Sequence, residues 1–249
     1  MPEIACDALV FDVLGTLVDE PAGLRAGIRA FDPSLDEPGV ERLLARWQRH
    51  VEEEQRRIVA GERPYASSDV LDAEAAHLVA DAAGTGGTET GAPGHDAPGR
   101  GDAGTGGADA VAGLARAGRR LPAWPDTVAG LDRLAGAFPL IGLSNASRTA
   151  LLELNAHAGL RWHQALSAED ARTYKPDPAV YELAVAVSGR PPERLLMVAA
   201  HAWDLRAARR HGLRTAYVAR PVGDPPADGD RFDLYAAGLD DLAGRLGLP

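Results

Sequence analysis

The chain has 249 residues, 45% of them hydrophobic and 25% charged, with a formal net charge of −10 and one cysteine. That length can bury a large core, either as one domain or as a core with a smaller companion. The acidic balance disfavours nucleic acid and anionic membrane, which select clustered Lys and Arg, and the lone Cys6 excludes an intrachain disulfide.

The opening "MPEIACDALV" lacks the basic-then-apolar pattern of an export signal. No apolar run approaches the roughly 20 residues that span a bilayer, so a cytoplasmic protein is the expectation. Residues 5–11 predict a short buried strand, closed by Asp12 and a Gly-Thr turn in "ALVFDVLGTLVDE". From 38 to 80 the pattern is helical: Val40, Leu43, Leu44, Trp47 and Val51 share one face. "SSDVLDAEAAHLVADA" predicts a second helix, with Ser68 or Asp69 as its cap. Residues 81–110 contain ten glycines and no Val, Ile, Leu, Met, Phe, Trp or Tyr. Such a tract cannot offset its ordering entropy and reads as a flexible insertion with a solvated His95.

After residue 121, strands and helices alternate. "FPLIGLSN", "HQALSAED", "RLLMVAAHAWD" and "RTAYVARP" read as strands, separated by helices at "VAGLDRLAGA", "SRTALLELNAHAGL", "DPAVYELAVAVSG" and "LRAARRHG". That order predicts an α/β fold with a doubly wound parallel sheet, whose ligands bind beyond the carboxyl ends of the strands. Four segments deliver polar groups to that edge: Asp12; Ser144 and Asn145; Lys175; and His201 with Asp204. Each has a plainer alternative. Asp12 and Asp204 would serve as helix or turn caps, Ser144 and Asn145 as turn residues, Lys175 as a loop lysine, and His201 as hydrogen-bonded structure. Their joint placement points instead to a site.

"FDVLGTLVD", "LIGLSNAS", "YKPDPAVYELA" and "LLMVAAHAWDLRAARRHGLRTAYVARP" resemble the four ordered motifs of the haloacid dehalogenase superfamily, most closely its type II (S)-2-haloacid dehalogenases. The resemblance implies a Rossmann-like core over 1–20 and 120–249 and an inserted helical cap over 21–119. It implies Asp12 as nucleophile, with Thr16, Ser144, Asn145, Lys175, Tyr181 and Asp204 around it. Arg46, with Arg49 as alternate, is expected to receive the leaving halide, and Leu14 and Trp203 to contact substrate. A homodimer is the family's prior.

Phosphatases of this superfamily carry a second aspartate two residues after the nucleophile, and a Gly-Asp-x-x-x-Asp run in the fourth motif. Here Leu14 and Ala200 stand at those places. Leucine cannot give or take a proton, and a Mg²⁺ site needs oxygen ligands. The expected chemistry is therefore metal-independent and cofactor-free: Asp12 displaces halide from a short 2-haloalkanoic acid, a small anionic substrate, through an aspartyl ester. A Mg²⁺-dependent phosphatase and a non-catalytic binding protein are the alternatives. The type II branch usually has Ser-Ser-Asn at Ala199-Ala200-His201, so His201 either positions water or marks an altered reaction.

Overall fold

A computed structural model describes residues 5–85 and 104–248. Six strands form one all-parallel sheet in the order β3-β2-β1-β4-β5-β6. They are β1 (Ala8–Asp12), β2 (Leu140–Ser144), β3 (Gln164–Ser167), β4 (Leu195–Ala199), β5 (Arg214–Val218) and β6 (Leu234–Ala236). Strands β1, β2 and β4 are buried throughout, as a sheet covered on both faces requires.

Side-chain alternation along β1 divides the core. Leu9, Phe11 and Val13 pack with α5 (Thr127–Ala135), α6 (Arg148–Ala158) and α9 (Leu239–Arg245), while Ala8 and Val10 pack with α7 (Pro178–Ser188) and α8 (Ala202–Arg210). Each fully buried Leu contributes about 1.5–3 kcal/mol. Helix α7 starts where Asp177-Pro178 predicts, with Asp177 Oδ1 accepting the Ala179 N–H at 2.9 Å. Helix α6 ends at Gly159, whose φ of 71° suits glycine.

Between β1 and β2 lie α1 (Glu20–Phe31), α2 (Glu37–Val59), α3 (Ser68–Thr85) and α4 (Gly104–Leu114). They share their own apolar cluster, built on Leu24, Ile28, Val40, Leu43, Leu44, Trp47, Ala76, Val79 and Leu114. Helix α1 follows Asp19, whose carboxylate accepts the Ala22 N–H at 3.0 Å. Sequence reading supplied neither α1 nor the final β6 and α9.

Helix also enters both ends of the Gly-rich tract, at 81–85 and 104–110, because Ala82 and Ala83 in α3 and Val111 and Leu114 in α4 pack on the helical cluster. The rest of that tract, His95 included, lies outside the described residues. Ser68 and Asp69 do not act as free caps. Ser68 Oγ accepts the Ser147 N–H at 2.7 Å and Asp69 Oδ2 accepts the Ser147 hydroxyl at 2.8 Å, which ties α3 to the start of α6. Among the described residues no helix is long and apolar enough to cross a membrane.

Candidate active site

The carboxyl edge of the sheet collects Asp12 from β1, Asn145 from the end of β2, Lys175 from the loop before α7, and His201 and Asp204 from the end of β4 and α8. Asp12 is held by two donors. Lys175 Nζ donates to Oδ1 at 2.9 Å and the Thr16 hydroxyl donates to Oδ2 at 2.6 Å. Lys175 Nζ also donates to Asp204 Oδ2 at 2.7 Å, and the Tyr181 hydroxyl donates to Asp204 Oδ1 at 2.6 Å. Both carboxylates are thus used away from helix capping, and the capping alternative falls for each.

The chain Asp12–Lys175–Asp204–Tyr181 is almost wholly buried, with Asp12 7%, Lys175 4% and Asp204 0% exposed. Burial works against the Lys175 charge, yet Asp12 and Asp204 outweigh it and hold the ammonium above its ordinary pKa. Burial, then the charge of Asp204, raises the Tyr181 phenol, so it stays a donor.

The backbone also serves the site. Thr16 Oγ1 accepts the Ala200 N–H at 2.9 Å, so the turn after Asp12 is pinned to β4. Gly15 sits at φ 76°, and a Cβ there would come within 2.5 Å of His201 Nε2. The His201 ring occupies that space: Nε2 is 3.2 Å from the Leu14 carbonyl and 4.0 Å from Asp12 Oδ2. Asn145 Oδ1 accepts the Lys175 backbone N–H at 2.9 Å, and its Nδ2 donates to Gln55 Oε1 of α2 at 3.1 Å. The sheet edge and the helical layer therefore meet in one hydrogen-bond network.

A cavity of about 590 Å³ opens above Asp12. Its walls include Leu14, Asn145, Lys175, His201 and Trp203 from the sheet side, and Trp47, Val51, Gln55 and Arg56 from α2. Three expectations change here. Arg46 and Arg49 are exposed and absent from the cavity wall. Arg46 lies ten residues from Arg56, about 80° around the helix, so Arg56 is the arginine that reaches the wall. Tyr181 does not reach it either: it is fully buried and spent on Asp204. Ser144 is fully buried and its Oγ accepts the Ala146 N–H at 3.1 Å, which makes it the turn residue of the plainer reading.

Sequence reading also missed Glu20, Asp72, Trp47 and Gln55 on the wall. Only Glu20, next to the "GTLVD" turn, carried a positional signal. Among the described residues no cluster of three or more His, Cys, Asp or Glu has the makings of a metal site. The positive charge between Asp12 and Asp204 is the Lys175 ammonium, and Leu14 and Ala200 add no side-chain oxygen.

A parallel sheet that presents a lysine-paired aspartate at the end of β1 defines an α/β protein with a buried charged site at the carboxyl edge of its sheet. The model of the haloacid dehalogenase-like hydrolases matches residues 6–212, and the chain belongs to that family. The (S)-2-haloacid dehalogenase H-109 of Pseudomonas putida is 28% identical over 86% of each chain. The crystal structure of the L-2-haloacid dehalogenase PA0810 superposes with a TM-score of 0.80 at 32% identity, covering 97% of this chain and 99% of that one. The L-2-haloacid dehalogenase of Xanthobacter autotrophicus, solved with chloropropionic acid covalently bound, superposes with a TM-score of 0.71 at 25% identity, over 95% and 96%.

Proposed function

We propose that this chain is a hydrolase of carbon–halogen bonds: a 2-haloacid dehalogenase that uses Asp12 as nucleophile and takes a short 2-haloalkanoic acid. The observation that carries the reading is the 2.9 Å contact between Asp12 Oδ1 and Lys175 Nζ, with an apolar residue, Leu14, where a phosphatase needs an acid. The relatives named above, all haloacid dehalogenases, support it.

Lys175 Nζ, 2.9 Å from Asp12 Oδ1, sets a positive charge beside the attacking oxygens. Thr16 fixes the rotation of Asp12. One Asp12 oxygen attacks C2, the carbon–halogen bond breaks, and the halide leaves with the bonding pair, needing no proton. This is nucleophilic catalysis that divides one hard step into two. Arg56 is the cavity-wall guanidinium that takes the role expected of Arg46 towards the halide. The ester is then opened by water attacking the Asp12 side-chain carbon. His201, its Nε2 4.0 Å from Asp12 Oδ2 and donating to the Leu14 carbonyl, positions that water, one of whose protons ends on the hydroxyl of the released acid. Asp204, held by Tyr181, balances and orients Lys175.

In this reading 1–20 and 120–249 form the catalytic core, α1–α4 within 21–119 act as the cap, and the protein works as a cytoplasmic homodimer on a small halogenated acid. A Mg²⁺-dependent phosphatase is not favoured, since positions 14 and 200 offer no acid. A single turnover of (S)-2-chloropropionate in H₂¹⁸O, followed by peptide mass analysis, tests the scheme. The label enters Asp12. Label found only in the hydroxy-acid product would end the ester mechanism.

A further inference from the structure

The cavity has more room and more carboxyl groups than a three-carbon haloacid uses. Its volume of about 590 Å³ lies in the range of pockets that enclose drug-sized ligands. Beyond Asp12, two part-buried carboxyls line its inner wall: Glu20 at the start of α1 and Asp72 in α3. Among the described residues neither has a hydrogen bond or an ion pair. The same helical layer pairs several of its other acids closely. Arg63 binds Glu54 at 2.5 Å and Glu74 at 2.6 Å, Arg25 binds Glu41 at 2.5 Å, and Arg119 binds Asp69 at 3.0 Å.

Burial raises the pKa of both free carboxyls. Asp72 is pushed up to about 8, with the charge of Glu20 adding to the effect, and Glu20 in turn feels His201 and Asp12. The two acids therefore extend from beside the nucleophile into the cavity. A carboxylate away from bulk water is costly without a partner, so both groups favour the neutral acid, opposed only by Arg119 at Asp72 and by His201 at Glu20, until an opposite charge completes the pair. What completes it is a cation, and an ammonium offers three donors, enough for both carboxyls at once. Leu14, Leu24, Trp47 and Val51 on the same wall suit the methylenes that would join such a group to the reacting carbon.

Resting on the dehalogenase reading above, we infer that the preferred substrate is a 2-halo acid bearing a terminal ammonium, the haloacid end at Asp12 and Lys175 and the ammonium between Glu20 and Asp72.

The test compares halide release from 6-amino-2-chlorohexanoate and from 2-chloroheptanoate, which replaces the ammonium by a methyl group. The expected kcat/KM is at least about tenfold higher for the ammonium substrate, mostly through KM, because a remote contact binds ground and transition states alike. The double substitution Glu20→Gln, Asp72→Asn removes both ionisable groups at nearly constant volume and brings the ratio to about one or below. A wild-type ratio at or below one overturns the assignment, as does a preference that survives the double substitution. Should neither acid release halide, the dehalogenase reading fails while the ammonium site is still decided by calorimetry with 6-aminohexanoate against heptanoate. Tighter binding of the amino acid, lost in the double variant, supports the site. Equal binding of the two, or a difference unchanged in the variant, refutes it.

Discussion

The molecule buries two pairs of carboxyl groups around its cavity and treats them in opposite ways. At the sheet edge, Asp12 and Asp204 share the Lys175 ammonium, and Thr16 and Tyr181 take up their remaining oxygens. In the helical layer, Glu20 and Asp72 face the same cavity with no partner among the described residues. Burial raises Asp204 as well, but there the Lys175 ammonium and the Tyr181 hydroxyl act against it. At the second pair burial is opposed only by the charge of Arg119 at Asp72 and of His201 at Glu20, and both groups are pushed towards the neutral acid. A carboxylate in a closed network has fixed orientation and charge, which suits a nucleophile. One left open to a cavity suits a group that arrives with the ligand.

Removing the nucleophile tests the paired side most severely. Asp12→Asn lowers halide release by about 10⁴-fold or more, read as kcat in a halide assay. Retained activity would move the chemistry to another residue. Lys175→Met comes next, because it leaves two buried carboxylates without their cation. Chemical denaturation shows a loss of about 3–5 kcal/mol. Wild-type stability in that variant would mean the ion pair contributes nothing.

The unpaired side responds in the reverse sense. Asp72 has a folded pKa near 8, well above the roughly 3.9 of an unfolded aspartate. Folding thus favours its protonated form. That contribution is complete below about pH 4 and is lost as pH rises through about 8. Asp72→Asn cannot ionise, so its stability relative to wild type grows over that interval. The gain is about 2 kcal/mol by pH 8 after allowing for the cavity opening, seen as a widening gap in denaturation midpoints. A gap constant with pH would show Asp72 to be solvated.

Tyr181→Phe removes one donor to Asp204 and costs about 1–3 kcal/mol of stability, since a buried acceptor loses its partner. The smallest contrast separates two arginines. Arg56→Ala raises KM for 2-chloropropionate about threefold to tenfold, whereas Arg46→Ala, on the outer face of α2, changes it by less than about twofold. The opposite ranking would restore Arg46 to the site.

Much of the sheet was legible because its signals are local. Apolar runs at strand length, each ended by a polar residue or a glycine, place β1, β2, β4 and β5, and Asp177-Pro178 and Gly159 mark helix ends by their own backbone preferences. Helix α1 escaped because "EPAGLRAGIRAF" buries only Gly23, Leu24 and Ile28, too sparse a stripe to announce itself. The ends of the Gly-rich tract escaped because their helicity comes from packing of Ala82 and Ala83 at one end and of Val111 and Leu114 beyond the other, which composition does not record.

By itself the sequence determined that Asp12, Asn145, Lys175, His201 and Asp204 would converge, since a parallel sheet delivers the carboxyl end of every strand to one edge whatever else the chain does. Only the tertiary structure decided that Tyr181 and Ser144 turn inward, that Arg56 rather than Arg46 reaches the cavity, and that Glu20 and Asp72 line it unpaired. Those outcomes depend on how helices distant in sequence rotate and dock against the sheet, and a turn of about 80° about one helix axis is enough to exchange a solvent-facing arginine for one that faces the cavity.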